Sequence, residues 1–467
     1  MGQRVAGGRG RRKPPPVSRA RRRAQQQAVR RRVGAAVATV LRTELEAALE
    51  AEVTALLGRP WYARRGTAPL RPAGVVCSRC GQDWAPRLVR AGHYTRTLLT
   101  ALAAVELRVP RVGCRCRGTV PVEFATLGRY ERVWGDVQER ARQLAGLCLS
   151  LHDAREVLAW DNGQPVACST LQGWGHQAAP LAAALQQGPL TRVPPVVLLD
   201  GLWVKLMVET GERYRDRQGR DRPRVRREKV PLLVAYGVDP ATGERWIVDW
   251  ERGQQEDEAS WRGLLERLWA RGLRADAGLA LFIHDGSAGL EAAFGLVSFG
   301  PGVRRQRCIF HVLQNVRDAV RGSGLTRPAK RERRRAVLQA AAPIWQATER
   351  STVRQRWQAF REQWEAEEPE AVAVIARVWE GTLAYLAVLE HARERGEAWP
   401  PQYLRTTSAL ERVNRALRQK TRQVGTFQSA TGLTAALALV LAHRELGPDR
   451  LPTDLWTEVL EAGLLVG

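Results

Sequence analysis

Three carboxylates and four cysteines stand out in this sequence for the chemistry their positions permit. Asp200 ends the apolar run Val196–Leu199, Asp285 ends Leu279–Ile283 through His284, and each is followed at once by Gly. A carboxylate at the end of a buried strand has an anchored backbone and free oxygens, a rigid mount for a divalent cation. Asp-Gly after a strand is also an ordinary turn, and either pair alone supports no more than that. Glu411 lies in the stretch TTSALERVN, residues 406–414. Thr407 or Ser408 would cap a helix there, placing Glu411 and Asn414 one turn apart on one face. A first-turn Glu is equally what the helix dipole favours. Taken together, the three acids describe a sheet-mounted Asp pair and a helix-borne Glu meeting around metal. Mg²⁺ (or Mn²⁺) needs few protein ligands, so three acids suffice for two ions. In such a site, with ions about 3.5–4 Å apart, one activates the attacking oxygen and the other stabilises the leaving one.

The cysteines suggest a different metal. Cys77 and Cys80, with Cys114 and Cys116, put four thiolates on two turns, the pattern of a closed tetrahedral structural Zn²⁺ site. Cys148 and Cys168 are expected in the core. Cys308 and His311 are either a partial metal site or packing against the acids' core. With no other ligand near in sequence, packing is expected. His284, by strand alternation, should face away from Asp285.

The elements that must hold these residues follow from periodicity. Val37 to Leu56 recurs at helical spacing until Gly58 and Pro60 stop it. Tyr94–Leu99 and Val105–Val109 read as short strands, the second ended by Pro110. Three helical segments follow, Val137–Leu149, Asp153–Trp160 and Ser169–Leu185. Asp153 and Glu156 have capping-box spacing, and Ser169-Thr170 caps the third. A short helix, a turn with Gly163 and a capped helix is the helix-turn-helix layout, though an ordinary three-helix unit has the same pattern. After a linker at residues 191–195 the texture becomes α/β. Val230–Val238 and Arg245–Trp250 form a hairpin, Asp257–Arg271 a helix, and Gln306–Phe310 a short strand. The Arg-rich stretch between Leu206 and Val230 suits an exposed loop. Residues 312–400 are helical, and Thr407–Gln419 and Ala430–Glu445 are final helices. Trp345, Trp357, Trp364 and Trp379 are expected in the core of the long helical block. Strand–strand–strand–helix–strand, with Asp on the first and fourth strands, fits a ribonuclease H-like core.

Composition narrows the partner. The chain has 467 residues, 44% hydrophobic, with 73 Lys and Arg against 48 Asp and Glu, a formal charge of +25. Residues 1–33 hold twelve of the basic residues and no acid, leaving +13 on the rest. So widespread an excess points to a polyanion. No stretch reaches the roughly 18–20 apolar residues of a membrane span; the longest candidate is Ala435–Ala442. Seven cysteines without an apolar N-terminal signal argue against a disulfide framework. A cytoplasmic, nucleic-acid-facing protein is expected, nucleoid-associated if bacterial. Arg412, Arg415, Arg418, Lys420 and Arg422 follow Glu411, and a cationic helix beside carboxylates suits a phosphodiester. Arg304, Arg305 and Arg307 are further candidates for the DNA path.

Several blocks carry a specific resemblance. In order, ALEAEVTALLG, TLLTALAAVELRVPRVGC, VVLLDGLWVKL, IHDGSAGLEAAF, QRCIFHVLQNV and TTSALERVNRALRQKTRQVGTF resemble the Mutator-like family of insertion-sequence transposases. The resemblance implies a ribonuclease H-like catalytic domain with an Asp-Asp-Glu triad at Asp200, Asp285 and Glu411. It also implies a helical insertion between the last two acids and a Cys/Asp-x-x-His element at Cys308–His311. One departure is the four-cysteine cluster, which resembles a zinc ribbon typical of a neighbouring insertion-sequence family.

The expected fold class is a multidomain α/β plus α chain. A basic disordered arm (1–33) would precede an N-terminal helix with a zinc-ribbon-like hairpin region (34–132) and a helix-turn-helix DNA-binding domain (133–190). A ribonuclease H-like mixed sheet core (194–311 and 400–447) would then be interrupted by a large helical insertion (312–399). The expected function is a DNA transposase. It would bind terminal inverted repeats and join them to target DNA by metal-dependent cleavage and strand transfer, as a homodimer or higher oligomer and without membrane. A domesticated non-catalytic DNA-binding protein and a ribonuclease H-like structure-specific nuclease are the alternatives.

Overall fold

The structure, a computed structural model, describes residues 19–63, 69–321 and 324–446. Residues 1–18 of the expected basic arm lie outside these. From Arg19 on, the arm is helical rather than irregular: α1 runs Arg19–Leu57. Residues 19–33 are mainly Arg, Ala and Gln, all good helix formers, and they extend the periodic helix that follows.

The chain divides into two compact units, residues 1–140 with 155–167, and 141–154 with 168–467. In the first, Leu45, Leu49, Val53 and Leu57 lie a turn apart on α1 and are buried. They pack on Leu98, Leu107, Val109, Val112 and Val120 of a three-stranded antiparallel sheet. Its strands are β1 (Leu88–Leu99), β2 (Ala104–Cys114) and β3 (Thr119–Val120). The second strand does not end at Pro110 but runs through it. A register shift between Arg90 and His93 on β1 brings His93 opposite Pro110, a bulge where the missing N–H is tolerated.

Four helices follow: α2 (Gly135–Gly146), α3 (Leu151–Asn162), α4 (Cys168–His176) and α5 (Ala179–Gln186). The division between the units runs through α2 and α3 and then between α3 and α4. Ser150, not Asp153, caps α3. Its hydroxyl accepts from the Asp153 N–H at 3.1 Å, while Asp153 Oδ2 receives the Ser150 hydroxyl at 2.7 Å. The segment expected as one helix from Ser169 to Leu185 is two, and Pro180 lies in the first turn of α5, where its missing N–H costs nothing.

The second unit is built on a five-stranded mixed sheet in the order β6-β5-β4-β7-β8. The strands are β4 (Val196–Arg215), β5 (Asp221–Val238), β6 (Arg245–Arg252), β7 (Leu281–His284) and β8 (Arg304–Arg307). β4, β5 and β6 are antiparallel neighbours, and β7 runs parallel to both β4 and β8. Strand alternation sorts the core. Val197, Leu199, Leu233 and Phe282 face Trp261 and Leu265 of α6 (Glu258–Ala270) and Leu290 and Phe294 of α7 (Ala288–Leu296). Val196, Leu198, Leu202, Leu281 and Ile283 face the opposite layer of helices.

That layer holds α8 (Ile309–Ala319), α9 (Arg327–Ala341), α10 (Arg350–Trp364), α11 (Pro369–Val378), α12 (Ala384–Glu394), α13 (Ser408–Val424) and α14 (Ala430–Leu446). Trp345 and Trp364 are buried there, and Trp357 stacks on Trp379 at 5.1 Å. Two sequence expectations fail. The strand expected at Gln306–Phe310 stops at Arg307, because Cys308 is already the N-cap of α8. The Arg-rich segment after Leu206 is not a loop but the outer part of β4 and β5. Arg, Tyr, Val and Thr there alternate across two strands, a pattern hidden by the density of charge. Among the described residues no single helix is long and apolar enough to cross a membrane.

Asp249 on β6 is fully buried and accepts from Arg267 at 3.0 Å, Arg271 at 2.9 Å and Gln186 at 2.9 Å, so it ties α5 and α6 to the sheet. Asp249→Ala would remove the buried carboxylate from two guanidiniums, leaving Arg267 with Glu251 and Arg271 with the Val248 carbonyl. The unfolding free energy in urea should fall by about 2–4 kcal/mol; a change under about 0.5 kcal/mol would show the pair to be superficial.

Candidate active site and thiolate cluster

Asp200 lies mid-sheet on β4, opposite Val234 of β5, on the face of Leu198 and Leu202. Asp285 follows the last residue of the adjacent parallel strand β7, and its Oδ1 accepts from the Ser287 N–H at 2.9 Å, turning the chain into α7. Gly286 has φ +81°, and a Cβ there would lie 1.0 Å from Arg307 Nη1. Glycine is therefore required beside Asp285 both for the backbone and to admit the Arg307 guanidinium. His284 points to the other face, as alternation predicted. It packs on Phe294 at 5.4 Å, and burial with nearby Arg307 and Arg305 lowers its pKa to about 3, so it is a neutral core residue.

Glu411 returns to this region across the helical block by a short set of bonds. The Cys308 N–H reaches the His284 carbonyl at 2.7 Å, and the Ile309 N–H reaches the Arg405 carbonyl at 3.0 Å. The Thr407 N–H lies 3.3 Å from Cys308 Sγ, with the Thr407 hydroxyl 3.2 Å from the same sulfur. Thr407 stands at the N-cap position of α13 but does not cap with its side chain; that hydroxyl is committed to Cys308. Further along α13, Asn414 Nδ2 donates to Asp200 Oδ2 at 2.7 Å, with both side chains buried. Glu411 lies one turn before Asn414 on α13, and this bond seats that helix on the strand of Asp200. Glu411 Oε1 and Asn414 Oδ1 are buried without a hydrogen-bond partner.

The electrostatics are those of crowded acid. Burial, partly offset by the His311 charge, and then the neighbouring Asp285 raise the pKa of Asp200 to about 6. Glu256, just before α6, is also raised, by burial and then by Asp285 and Asp200. A Cβ on Gly201 would sit 3.0 Å from Glu256 Oε1, so this fourth carboxylate leans on the strand next to Asp200. His311 rises to about 9. The nearby Cys308 thiol leads, opposed by burial, with the charges of Cys308, Asp200 and Asp285 adding to it. Burial disfavours the Cys308 thiolate, but His311 and Thr407 outweigh it and the thiol pKa falls. His311 is thus a cation held against the acids.

Down α13, Glu411, Arg415, Arg418 and Arg422 form one stripe and, with Gln419 and Gln423, line an open cavity of about 640 Å³. The side chain of Arg412 lies outside the described residues. Lys420 does not belong to the stripe. It is buried on the opposite face, donates to the Leu149 carbonyl at 2.9 Å, and burial lowers its pKa.

The four cysteines converge: their sulfurs all lie within 4.8 Å of one another, with Cys77–Cys116 at 3.5 Å and Cys80–Cys114 at 3.7 Å. Thiolates around one tetrahedral Zn²⁺, with Zn–S of about 2.3 Å, are about 3.8 Å apart. Backbone N–H groups of Cys80 and Arg79 point at Cys77 and lower its pKa. Gly118 lies so close that a Cβ would be 2.5 Å from Cys77 Sγ. Among the described residues this is the one His/Cys/Asp/Glu group so tightly gathered; the three acids are not. Ligands at the outer ends of a two-ion site are up to about 8 Å apart, so acids serving two ions need not gather as the thiolates do.

Residues 18–446 match the family described as Transposase, Mutator family. The chain belongs to that family. Relatives include the transposase for insertion sequence element ISRM5 of Rhizobium meliloti, 26% identical over 86% of each chain. The transposase for insertion sequence element IS406 of Burkholderia multivorans is 33% identical over 45% of this chain, which spans about half (49%) of that protein. A faint likeness, with 8% identity and TM-score 0.39, covers 69% of this chain and 94% of a chain in the Drosophila P element transposase strand transfer complex. At that score the likeness carries no argument.

In this transposase, sequence reasoning missed Glu256, the cationic state of His311 and the role of Gly286. Glu256 precedes α6 with no motif around it. The signal for His311 was present in its spacing from Cys308, but only the fold brings it to the acids.

Buried Asp200 destabilises the folded chain with a definite sign. Its folded pKa of about 6 stands above the ordinary 3.8, so its contribution is most favourable below about pH 4 and is lost as pH rises through 6. Asp200→Asn should therefore stabilise the metal-free protein at pH 8, on the order of 1–3 kcal/mol, and change little at pH 4. An equal effect at both pH values in calorimetric melts would contradict the assignment.

Proposed function

We propose that Asp200, Asp285 and Glu411 are the catalytic triad of a ribonuclease H-like core and hold two divalent cations, Mg²⁺ or Mn²⁺. The observation that carries this is the Asn414–Asp200 bond of 2.7 Å, which brings the helix of Glu411 onto the strand of Asp200. The sheet order, with its antiparallel triplet followed by two parallel strands, supports the same core. The donor set fits hard cations: all oxygens, one of them the orphaned Glu411 Oε1, with Asp200 raised by burial and then by Asp285. When bound, the ions activate the attacking hydroxyl and stabilise the leaving oxygen.

The chain's own groups do the rest. Asn414 fixes the rotamer of Asp200 through Oδ2, while Asp200 Oδ1 accepts from the Gly201 N–H at 2.9 Å and Asp285 Oδ1 from the Ser287 N–H at 2.9 Å. His311 offsets the acids' repulsion before cations arrive. Arg415, Arg418 and Arg422 neutralise and hold phosphates along α13, while Arg307 lies against Gly286 beside Asp285. No side-chain nucleophile is needed, so no covalent protein–DNA intermediate forms. The substrates are the terminal inverted repeats of an insertion sequence, recognised by the N-terminal half with its helical region, and target DNA. The first attack, by water, frees a 3′-hydroxyl, which then attacks the target phosphodiester. Joining two ends calls for a homodimer or larger assembly working on nucleoid DNA. The four cysteines hold structural Zn²⁺, which fastens β2 to the turn of Cys77 and Cys80.

The test is strand transfer on duplexes carrying the element's ends. Asp285→Ala and Glu411→Gln should each reduce joining to background while end binding stays within about twofold; joining by Asp285→Ala would overturn the triad. Metal analysis should find one zinc per chain, lost in a Cys80→Ser/Cys114→Ser protein along with several degrees of thermal stability. An unchanged zinc content in that variant would remove the thiolate site.

A further inference from the structure

The Arg-rich outer part of β4 and β5 is a ribbon standing clear of the sheet. β7 pairs with β4 only over Val196–Leu199, and β6 reaches β5 only as far as Leu232. Beyond them the two strands pair with each other from Val204–Val230 to Arg215–Asp221, joined at the base by Phe427, whose N–H reaches the Lys205 carbonyl at 2.9 Å. No residue from Glu209 to Lys229 is buried. The ribbon extends about 30 Å from Lys205 to its tip. A two-stranded ribbon without an apolar face is marginal in water, so its projection asks for a partner.

Its charges are of two kinds. Arg213 pairs with Asp221, Arg220 and Arg222 with Asp216, Arg224 with Glu212 and Arg226 with Glu228. Among the described residues Lys205, Arg227 and Lys229, like Arg215 and Arg217 at the tip, are exposed and have no acid within ion-pair distance. Lys205 stands directly opposite Lys229, and Met207 opposite Arg227, so the three share one face, which begins at Trp203, 51% exposed and three residues beyond Asp200. Like charges directly opposite one another destabilise a ladder. Charge that only protects an edge from aggregation has no need of that arrangement, and the rest of this ribbon avoids it. An anionic partner removes the penalty. A two-stranded ribbon also has the width that a DNA groove admits, and cations along it meet phosphates.

We propose that the face of the ribbon bearing Lys205, Arg227 and Lys229, which continues the sheet face opposite to that of Asp200, binds the phosphate backbone of duplex DNA. The proposal rests on the function above only in taking duplex DNA as the substrate.

The test uses the full chain and a 30-base-pair duplex of arbitrary sequence, with EDTA present and KCl varied. Lys205→Gln/Arg227→Gln/Lys229→Gln should reduce the slope of log affinity against log salt by about 2–3, close to 0.9 per phosphate contact, and weaken binding about tenfold or more. Arg213→Gln/Arg224→Gln, on the same ribbon but already ion-paired, should change the slope by less than 1. The triple variant should melt no earlier than the parent, since repulsion is relieved. If it melts earlier, Lys229→Gln alone, with a slope change of about 1, decides the same question. An unchanged slope, or an equal loss in the ion-paired control, overturns the proposal. Asp285→Ala should bind with the full parental slope, so failure of the triad and failure of the ribbon are read separately.

Discussion

The neck of the helical block is the constraint on which the acid site depends. Between β8 and α13 the chain leaves the sheet for α9 to α12, and it returns because entry and exit are bonded together. Cys308 and Ile309 on the way out meet Thr407 and Arg405 on the way back. Closing a long excursion at its base costs entropy that grows only logarithmically with its length, so the block's size matters less than the quality of its neck. Gln306, fully buried on β8, strengthens it: its side chain accepts from the Tyr385 N–H at 2.9 Å and donates to the Thr382 carbonyl at 3.0 Å. With the neck shut, α13 has one place to go, and the Asn414–Asp200 bond sets its rotation.

What results is stored electrostatic tension. Asp200 is buried beside Asp285, with Glu256 at the neighbouring strand position, and all three need a counter-charge. His311 supplies one from within the protein, polarised by Cys308. In the function proposed above, a divalent cation would supply more, and the arginine stripe of α13 would hold the phosphodiester. The fold around this tension is conventional: apolar alternation on β4, β5 and β7 buries Val, Leu and Ile on both faces of the sheet, each contributing about 1.5–3 kcal/mol. That reserve permits an acid cluster that does not contribute to stability.

The parts legible in the sequence were those governed by local rules. Apolar runs marked β7 and the start of β4, and Asp285 does follow the end of its strand. Asp200, expected at a strand end, instead lies five residues into a strand that continues to Arg215. The spacing of Glu411 and Asn414 on one helical face was readable before the contact was known. The thiolate cluster was legible because ligand spacing constrains it directly. Illegible parts depended on distant partners or misleading composition. Thr407 has the sequence position of a cap but spends its hydroxyl on Cys308, ninety-nine residues away. Lys420 has the composition of a DNA contact but falls on the buried side of α13, a matter of helical phase. Charge density disguised strands as a loop after Leu206, since propensity is weak where cross-strand pairs supply the stability.

Glu411 is proposed to share divalent cations with Asp200 and Asp285, and localised cleavage is a direct test of that sharing. Fe²⁺ substituted for Mg²⁺, with ascorbate and peroxide, cuts the backbone of the residues nearest the bound ion. The account predicts fragments ending near residues 200, 285 and 411, all three suppressed together by excess Mg²⁺. Cuts near 200 and 285 with none near 411 would contradict it.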